Sequence, residues 1–336
     1  MIGAGSQTSN VDRSDSIIYS NAVSIDASND DVHQDDGTDI GTLMGAGSWT
    51  YTFYIKDSVG AWSNSALDIW AKGDNTLNGN NFISFRLNGM VNSTGTANSR
   101  YPDYEQWPNV ILYTPSFSIA SKSGGTIIQS KTFGDNGVGG NHNTPIRGGD
   151  IMNTDNLTLK LLGESGIPKG DGTVPFPHSY RSANAYTKGF VMFTITCDAS
   201  GTNRDFKLYI NGQEIPAKSG VAEVTLASST NFESHVGSAT FNQVKYFNLL
   251  NAGALIQLGP QAFWDSVLTE AEIKEIYYSA PTLTSNFGDY TSSGDLQRWY
   301  KFDEGTGTSV ADSSGNSGQA FDLVNGPAWV KENIVM

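Results

Sequence analysis

Three short runs hold the side chains whose types and spacing could do chemistry. The first is Asp26-Ala-Ser-Asn29-Asp30-Asp31, at the end of a short apolar stretch. A hard cation such as Ca²⁺ takes several oxygen ligands at about 2.3–2.6 Å. Asp26, Asn29 and Asp30 are the candidate oxygen donors, with Asp31 beside them. The plainer reading is that these residues cap a turn and solvate a loop. Asp35, Asp36 and Asp39 extend the acidic stretch, but their spacing lacks the Gly and terminal Glu of an EF-hand loop. The other two runs are Tyr101-Pro-Asp-Tyr104-Glu-Gln-Trp107-Pro108 and Thr173-Val-Pro175-Phe176-Pro177-His178. They set aromatic rings among prolines. Tyr101, Tyr104, Trp107 and Phe176 are candidates for stacking on sugar C–H faces, or for filling a contact with a partner protein.

Catalytic signatures do not appear. His33, His142, His178 and His235 are scattered, with no H-E-x-x-H. There is no nucleophile elbow, P-loop or dinucleotide fingerprint. The acidic stretch Glu270–Glu275 falls on an expected helix, where capping and solvation account for it. The expectation is a protein that is not an enzyme and that holds no cofactor, Ca²⁺ being the one ion considered.

Charge narrows the partners. Lys+Arg 20 against Asp+Glu 34 leaves −14, and no basic run is present. Phosphate backbones need clustered cations, so nucleic acid is not expected. The acidity favours solubility, calcium or a cationic partner. Cys197 is the single cysteine, so no disulfide forms within the chain, and its strand-like setting suits a buried small hydrophobe. No apolar run nears the roughly 18 residues of a membrane span. Met1–Asn10 is polar, without a basic or apolar leader region, so a classical export route is not expected. Without that context the sequons at Asn92 and Asn156 carry little weight.

The elements that must position these residues are strands. Charged residues are only 16% of the chain while glycines number 37, which suits an all-β protein with long polar loops. Trp49-Thr-Tyr51-Thr-Phe53-Tyr-Ile55 alternates with period two and is the clearest strand. Ala22–Ile25, Val110–Tyr113, Thr126–Ser130, Leu157–Leu162, Phe190–Thr196, Phe206–Ile210, Val221–Leu226 and Ala254–Leu258 are further expected strands, and Ser65–Lys72 with Asn81–Leu87 reads as a hairpin. Asn211-Gly212 directly after Phe206–Ile210 is a strong hairpin signal. One helix is expected over Thr269–Tyr278, opened by the Thr269/Glu272 capping box, with Ile273, Ile276 and Tyr277 on one face. One short helix among many strands predicts a β-sandwich.

The ends of this pattern resemble a known family. Ala22-Val-Ser-Ile25-Asp26-Ala-Ser-Asn29-Asp30-Asp31-Val32 resembles the opening signature of laminin-G-like, concanavalin-A-like jelly rolls, with Ile25 and Ala27 in place of that motif's Phe and Gly. Phe206–Gly212 is similar to the family's Leu-Tyr-x-Asn-Gly hairpin, and Gln261–Ile273 to its closing strand and helix. Leu296-Gln-Arg-Trp299-Tyr300 and Asp312-Ser-Ser-Gly315-Asn316 resemble a segment that usually precedes the opening signature, but here they follow the helix. A tail of this kind also resembles structural proteins of tailed bacteriophages. The likeness covers about half of the chain.

The resemblance implies an all-β, laminin-G-like jelly-roll β-sandwich with one short helix and extended terminal arms. The expected organisation is an arm over 1–20, a jelly roll over 21–282 with long insertions around 88–185, and a segment over 283–336. That segment would complete the sandwich or contact a second copy in a homo-oligomer. Some members of the family bind calcium near the opening signature. Hydrolases on this fold carry Glu-x-Asp-x-x-Glu, which is absent here. The implied role is a virion-surface structural protein, assembled in the host cytoplasm and contacting major capsid or other virion proteins. The alternative is a lectin-like module for cell-surface glycans. Neither reading involves nucleic acid or a membrane.

Overall fold

The computed structural model describes residues 18–25, 31–34, 43–45, 47–57, 67–73, 82–88, 116–123, 125–134, 190–210, 212–215, 217, 222–230, 244–247, 256–279 and 281–335, some strand residues by their backbone alone. Two antiparallel sheets form it. Sheet A holds β1 (Ile18–Ile25), β3 (Trp49–Asp57), β8 (Val191–Asp198), β9 (Asp205–Ile210), β10 (Gln213–Ile215), β12 (Ile256–Trp264), β13 (Leu296–Tyr300) and β16 (Ala328–Val335). Its order is β10-β9-β8-β3-β12-β1-β16, with β13 also on β12. Sheet B holds β2 (Asp31–Gln34), β4 (Leu67–Gly73), β5 (Phe82–Asn88), β6 (Ser116–Ser123), β7 (Thr126–Gly134), β11 (Val244–Phe247), β14 (Ser309–Val310) and β15 (Phe321–Val324). Its order is β14-β15-β2-β11-β4-β5-β6-β7. Among the described residues an α-helix, α1, spans Glu270–Ser279, and 43–45 form one further helical turn. This is the jelly-roll sandwich expected from the sequence.

The period-two pattern of β3 explains its central place. Trp49, Tyr51, Phe53 and Ile55 enter the core between the sheets. Tyr54 enters a second core on the outer face of sheet A. Thr50 and Thr52, also buried, satisfy their hydroxyls locally: Thr50 Oγ1 donates to Ser266 O at 2.8 Å and accepts from Leu268 N at 2.9 Å, while Thr52 and Thr194 share a 2.9 Å bond. Within sheet A, Phe53 stacks on its cross-strand neighbour Phe193 with centroids 5.5 Å apart, and across the inter-sheet gap Phe85 of sheet B meets both rings edge-on at 5.7 Å. Such offset and edge contacts add to the burial of large apolar area.

Much of the outer face of sheet A is covered. Ile273 and Ile276 of α1, with Leu268, Leu283, Tyr290, Leu296 and Trp299, pack on Tyr19, Ala22, Tyr54, Met192, Tyr209, Ala262 and Trp264. Trp264 Nε1 donates to Tyr290 Oη at 2.9 Å, and that hydroxyl donates to Leu283 O at 2.9 Å. The capping box forms as its spacing predicts: Thr269 N donates to Glu272 Oε2 at 2.9 Å and Glu272 N to Thr269 Oγ1 at 3.2 Å.

The C-terminal strands belong to both sheets of this chain. β13 pairs with β12, β16 with β1, and the β14–β15 pair joins β2. β12 serves two partners on one flank, β1 over Ile256–Leu258 and β13 over Gln261–Trp264. The switch occurs at Gly259-Pro260, where proline has no N–H to continue a ladder and the register with β3 also shifts.

Several boundaries differ from the sequence reading. Ser116–Ser123 is a strand despite its serines, because it is paired on both sides, to β5 and to β7. Val244–Phe247 likewise becomes a strand through β2 and β4. The expected strand at Val221–Leu226 is not one. Its described residues make single bridges, Val224 to Ser130 and the following Ala227 to Asn203, and 222–225 are exposed. The segment touches β7 of sheet B and the β8–β9 turn of sheet A, so no one ladder can run along it. Lys131 and Asp205 close the same edge with a 2.6 Å ion pair. Val110–Tyr113 and Leu157–Leu162 lie outside the described residues.

Replacing Phe53 by Ala should remove about 3–5 kcal/mol of stability, read from equilibrium urea unfolding followed by tryptophan fluorescence. A loss under about 1 kcal/mol would show that this ring is not at the inter-sheet centre.

Candidate functional site

Strand direction gathers the connections that carry the candidate residues. Ile25 ends β1 beside Ile256, the first residue of β12, and Ile256 also faces Asp57, the last residue of β3. Val191 opens β8 opposite Ile55. In sheet B, Asp31 opens β2 opposite Phe247, which ends β11. Asn88 ends β5 opposite Ser116, and Ser116 in turn faces Gly134, the end of β7. Connections 26–30, 58–66, 89–115, 135–190 and 248–255 therefore all leave and re-enter the sheets at one end of the sandwich. The short step from Ile25 to Asp31 keeps the two sheets' ends together there.

Each sequence-derived candidate sits on one of those connections. Asp26, Asn29 and Asp30 fall between β1 and β2; Tyr101, Tyr104 and Trp107 between β5 and β6; Phe176 between β7 and β8. All of them lie outside the described residues, so the strands fix where their segments start and finish and nothing more. The β15–β16 turn reaches the same end: Val324 pairs with Asp31 and Ala328 with Ser24, and Asn325 and Gly326 take φ of 64° and 116° to make the reversal.

The described carboxylates do structural work. Glu272 is buried, and its two oxygens take bonds from Thr269 N and Oγ1, Thr291 N and Oγ1, and Ser292 Oγ at 2.6–3.2 Å. Burial pushes its pKa up, but bonds from Ser292, Thr269 and Thr291 outweigh that and hold the carboxyl below its ordinary value. Asp312 repeats the pattern: Trp299 N and Ser314 N donate to Oδ1 at 2.9 Å, Ser314 Oγ to Oδ2 at 2.7 Å and Gly318 N to Oδ2 at 2.9 Å. Burial raises it and these bonds outweigh burial. Carboxylates saturated by their own backbone are poorly placed to shuttle protons. Among the described side chains, no group of three or more His, Cys, Asp or Glu is arranged to hold a metal.

Cys197 is buried on β8 as expected. Burial pushes its thiol up to about 12, the nearby Arg204 notwithstanding, so thiolate chemistry is suppressed. Among the described residues, no helix is long and apolar enough to cross a membrane.

No protein-family model matches the chain, and no curated protein sequence matches it. Solved structures of similar shape include the binding domain of botulinum neurotoxin DC in complex with SialylT, at 11% identity and TM-score 0.40 over 78% of this chain and 45% of that one. This chain therefore spans less than half of that protein's chain. A native heptameric SAP-like pentraxin from Limulus polyphemus aligns over 94% of this chain and 96% of its own, with 10% identity and TM-score 0.40. The Ruminococcus gnavus IT-sialidase CBM40 aligns over 79% and 99%, with 10% identity and TM-score 0.35. The fold assignment rests on the strand order above rather than on these likenesses.

The Glu272 contacts set a pH dependence. Its folded-state pKa is depressed, so its contribution is complete above the unfolded carboxylate value and fades as pH falls through the folded one. Glu272→Gln should cost on the order of 2 kcal/mol at neutral pH, with the gap to the parent closing below about pH 4. Thermal unfolding from pH 7 down to 3 checks this. A gap that is constant or widens on acidification contradicts the assigned sign.

Proposed function

We propose that this chain is a non-enzymatic adhesive protein of a virion surface, binding capsid or other virion proteins through the end of the sandwich where 26–30, 89–115 and 135–190 converge. The observation that carries the reading is this convergence. Much of the outer face of sheet A is buried beneath α1 and residues 281–299, which leaves that part of the sheet without a free surface for a partner. The virion partner draws its support from the resemblance of Leu296–Tyr300 and Asp312–Asn316 to phage structural proteins. A rigid two-sheet body with long connections at one end suits adhesion, since the body supplies preorganisation and the connections supply contact area.

Co-sedimentation with emptied capsid shells tests this reading. Saturable binding is expected, and it should weaken at least about tenfold in a Tyr104→Ala/Trp107→Ala variant, as befits aromatic anchors. Tyr278→Ala, exposed on α1, should bind like the parent. Absence of binding, or binding indifferent to the first variant, refutes the assignment.

A second reading, a glycan-binding module, is favoured by the aromatic candidates on these same connections, with Asp26, Asn29 and Asp30 as the calcium ligands. It predicts glycan-array binding that is lost in Trp107→Ala and after treatment with EGTA, without release of reducing sugar. Array binding unchanged by both treatments would exclude this site.

A further inference from the structure

We propose that Asn325 is a site of spontaneous deamidation, placed at the end of the sandwich where the long connections emerge. The chain holds five Asn-Gly pairs, at 78–79, 88–89, 136–137, 211–212 and 325–326. Asn325 and Gly326 are both exposed. They belong to the turn from β15 to β16 and take part in neither ladder: β15 pairs with β2 as far as Val324, and β16 pairs with β1 from Ala328. Gly326 takes φ of 116°, a conformation suited to glycine, and no Cβ screens its nitrogen. Asn325, with φ of 64°, holds the left-handed conformation that asparagine tolerates.

The reaction needs only these two residues and water. The Gly326 nitrogen attacks Cγ of Asn325. A new N–Cγ bond closes a succinimide ring, the Cγ–Nδ2 bond breaks, and the Gly326 amide proton leaves with the side-chain nitrogen as ammonia. Water then adds to one of the two ring carbonyls. Opening at one C–N bond gives aspartate; opening at the other gives isoaspartate, whose main chain runs through the side-chain carbons. Both products add a negative charge. Isoaspartate also lengthens a turn whose ends are fixed, Val324 opposite Asp31 in sheet B and Ala328 opposite Ser24 in sheet A. It therefore strains the link between the sheets beside the 26–30 connection, at the end assigned above to adhesion. The chemistry itself is independent of that assignment.

Asn211-Gly212 is the internal contrast. Gly212 is buried, and a Cβ placed on it would lie 3.3 Å from Lys274 Cα and 3.4 Å from Tyr277 Cβ of α1. Ring closure there requires the β9–β10 hairpin to part from the helix, a local opening with its own free-energy cost.

Incubation of the folded full chain in mildly alkaline buffer, followed by peptide mapping with isoaspartyl methyltransferase labelling, is the test. Chain incubated in urea supplies the reference peptides. Isoaspartate is expected at 325, forming at least about tenfold faster than at 211, where local opening must come first. Asn325→Gly, which accepts a φ of 64° without strain, should remove that signal. Protein separated with isoaspartate at 325 should unfold at a lower Tm than unmodified protein from the same incubation. Retention of the amide at 325 in the folded protein overturns the site, as does conversion at 211 as fast as at 325; an unchanged Tm overturns the strain.

Discussion

The burial of β3 on both faces is the constraint from which the rest of the structure follows. Its inner residues meet the other sheet through the Phe53–Phe193–Phe85 contacts, and its outer Tyr54 lies in the core beneath α1. A strand buried on both sides needs two covers. Sheet B supplies one. Helix α1 with residues 281–299 supplies the other. Hydroxyls that would be stranded by this double burial are bonded where they stand, as in the Thr52–Thr194 pair, because an unpaired buried polar group costs more than a typical bond returns.

The same double cover explains the C-terminal region. Leu296 and Trp299 help to seal the outer face of sheet A, while Phe302, Val310, Phe321 and Leu323 enter the inter-sheet core. Crossing from one sheet to the other within so short a stretch bends the chain sharply. Phe302 is fully buried with φ of 57°, a conformation that a bulky residue adopts only when packing holds it there. Gly305 takes a similar φ where the Asn21 side chain approaches closely, leaving little room for a Cβ. Glu272 and Asp312 pin the two flanks of this region with bonds to carboxylates, which are stronger than bonds between neutral groups.

Helix α1 and residues 281–299 bury much of the outer face of sheet A, and strand order fixes a second feature at one end of the sandwich. The antiparallel order sends the β1–β2, β5–β6 and β7–β8 connections to one end, so residues far apart in the chain start from neighbouring strand ends. Strand direction alone achieves this.

The sequence by itself determined the all-β class, the course of β3, the Asn211-Gly212 hairpin and the capped α1, because each is written in local periodicity or turn chemistry. It also marked Asp26, Asn29, Asp30 and the four loop aromatics by residue type. It could not show that Ser116–Ser123 and Val244–Phe247 are strands, since their pairing comes from neighbours on both sides rather than from their own composition. It did not distinguish Asn325-Gly326 from the other Asn-Gly pairs, because its place in the turn between the sheets comes from the partners of β15 and β16. Tertiary structure alone decided which end holds the candidate connections and which face is sealed, because both depend on strand order across the sheets, and strand order is set by which apolar faces can be buried together.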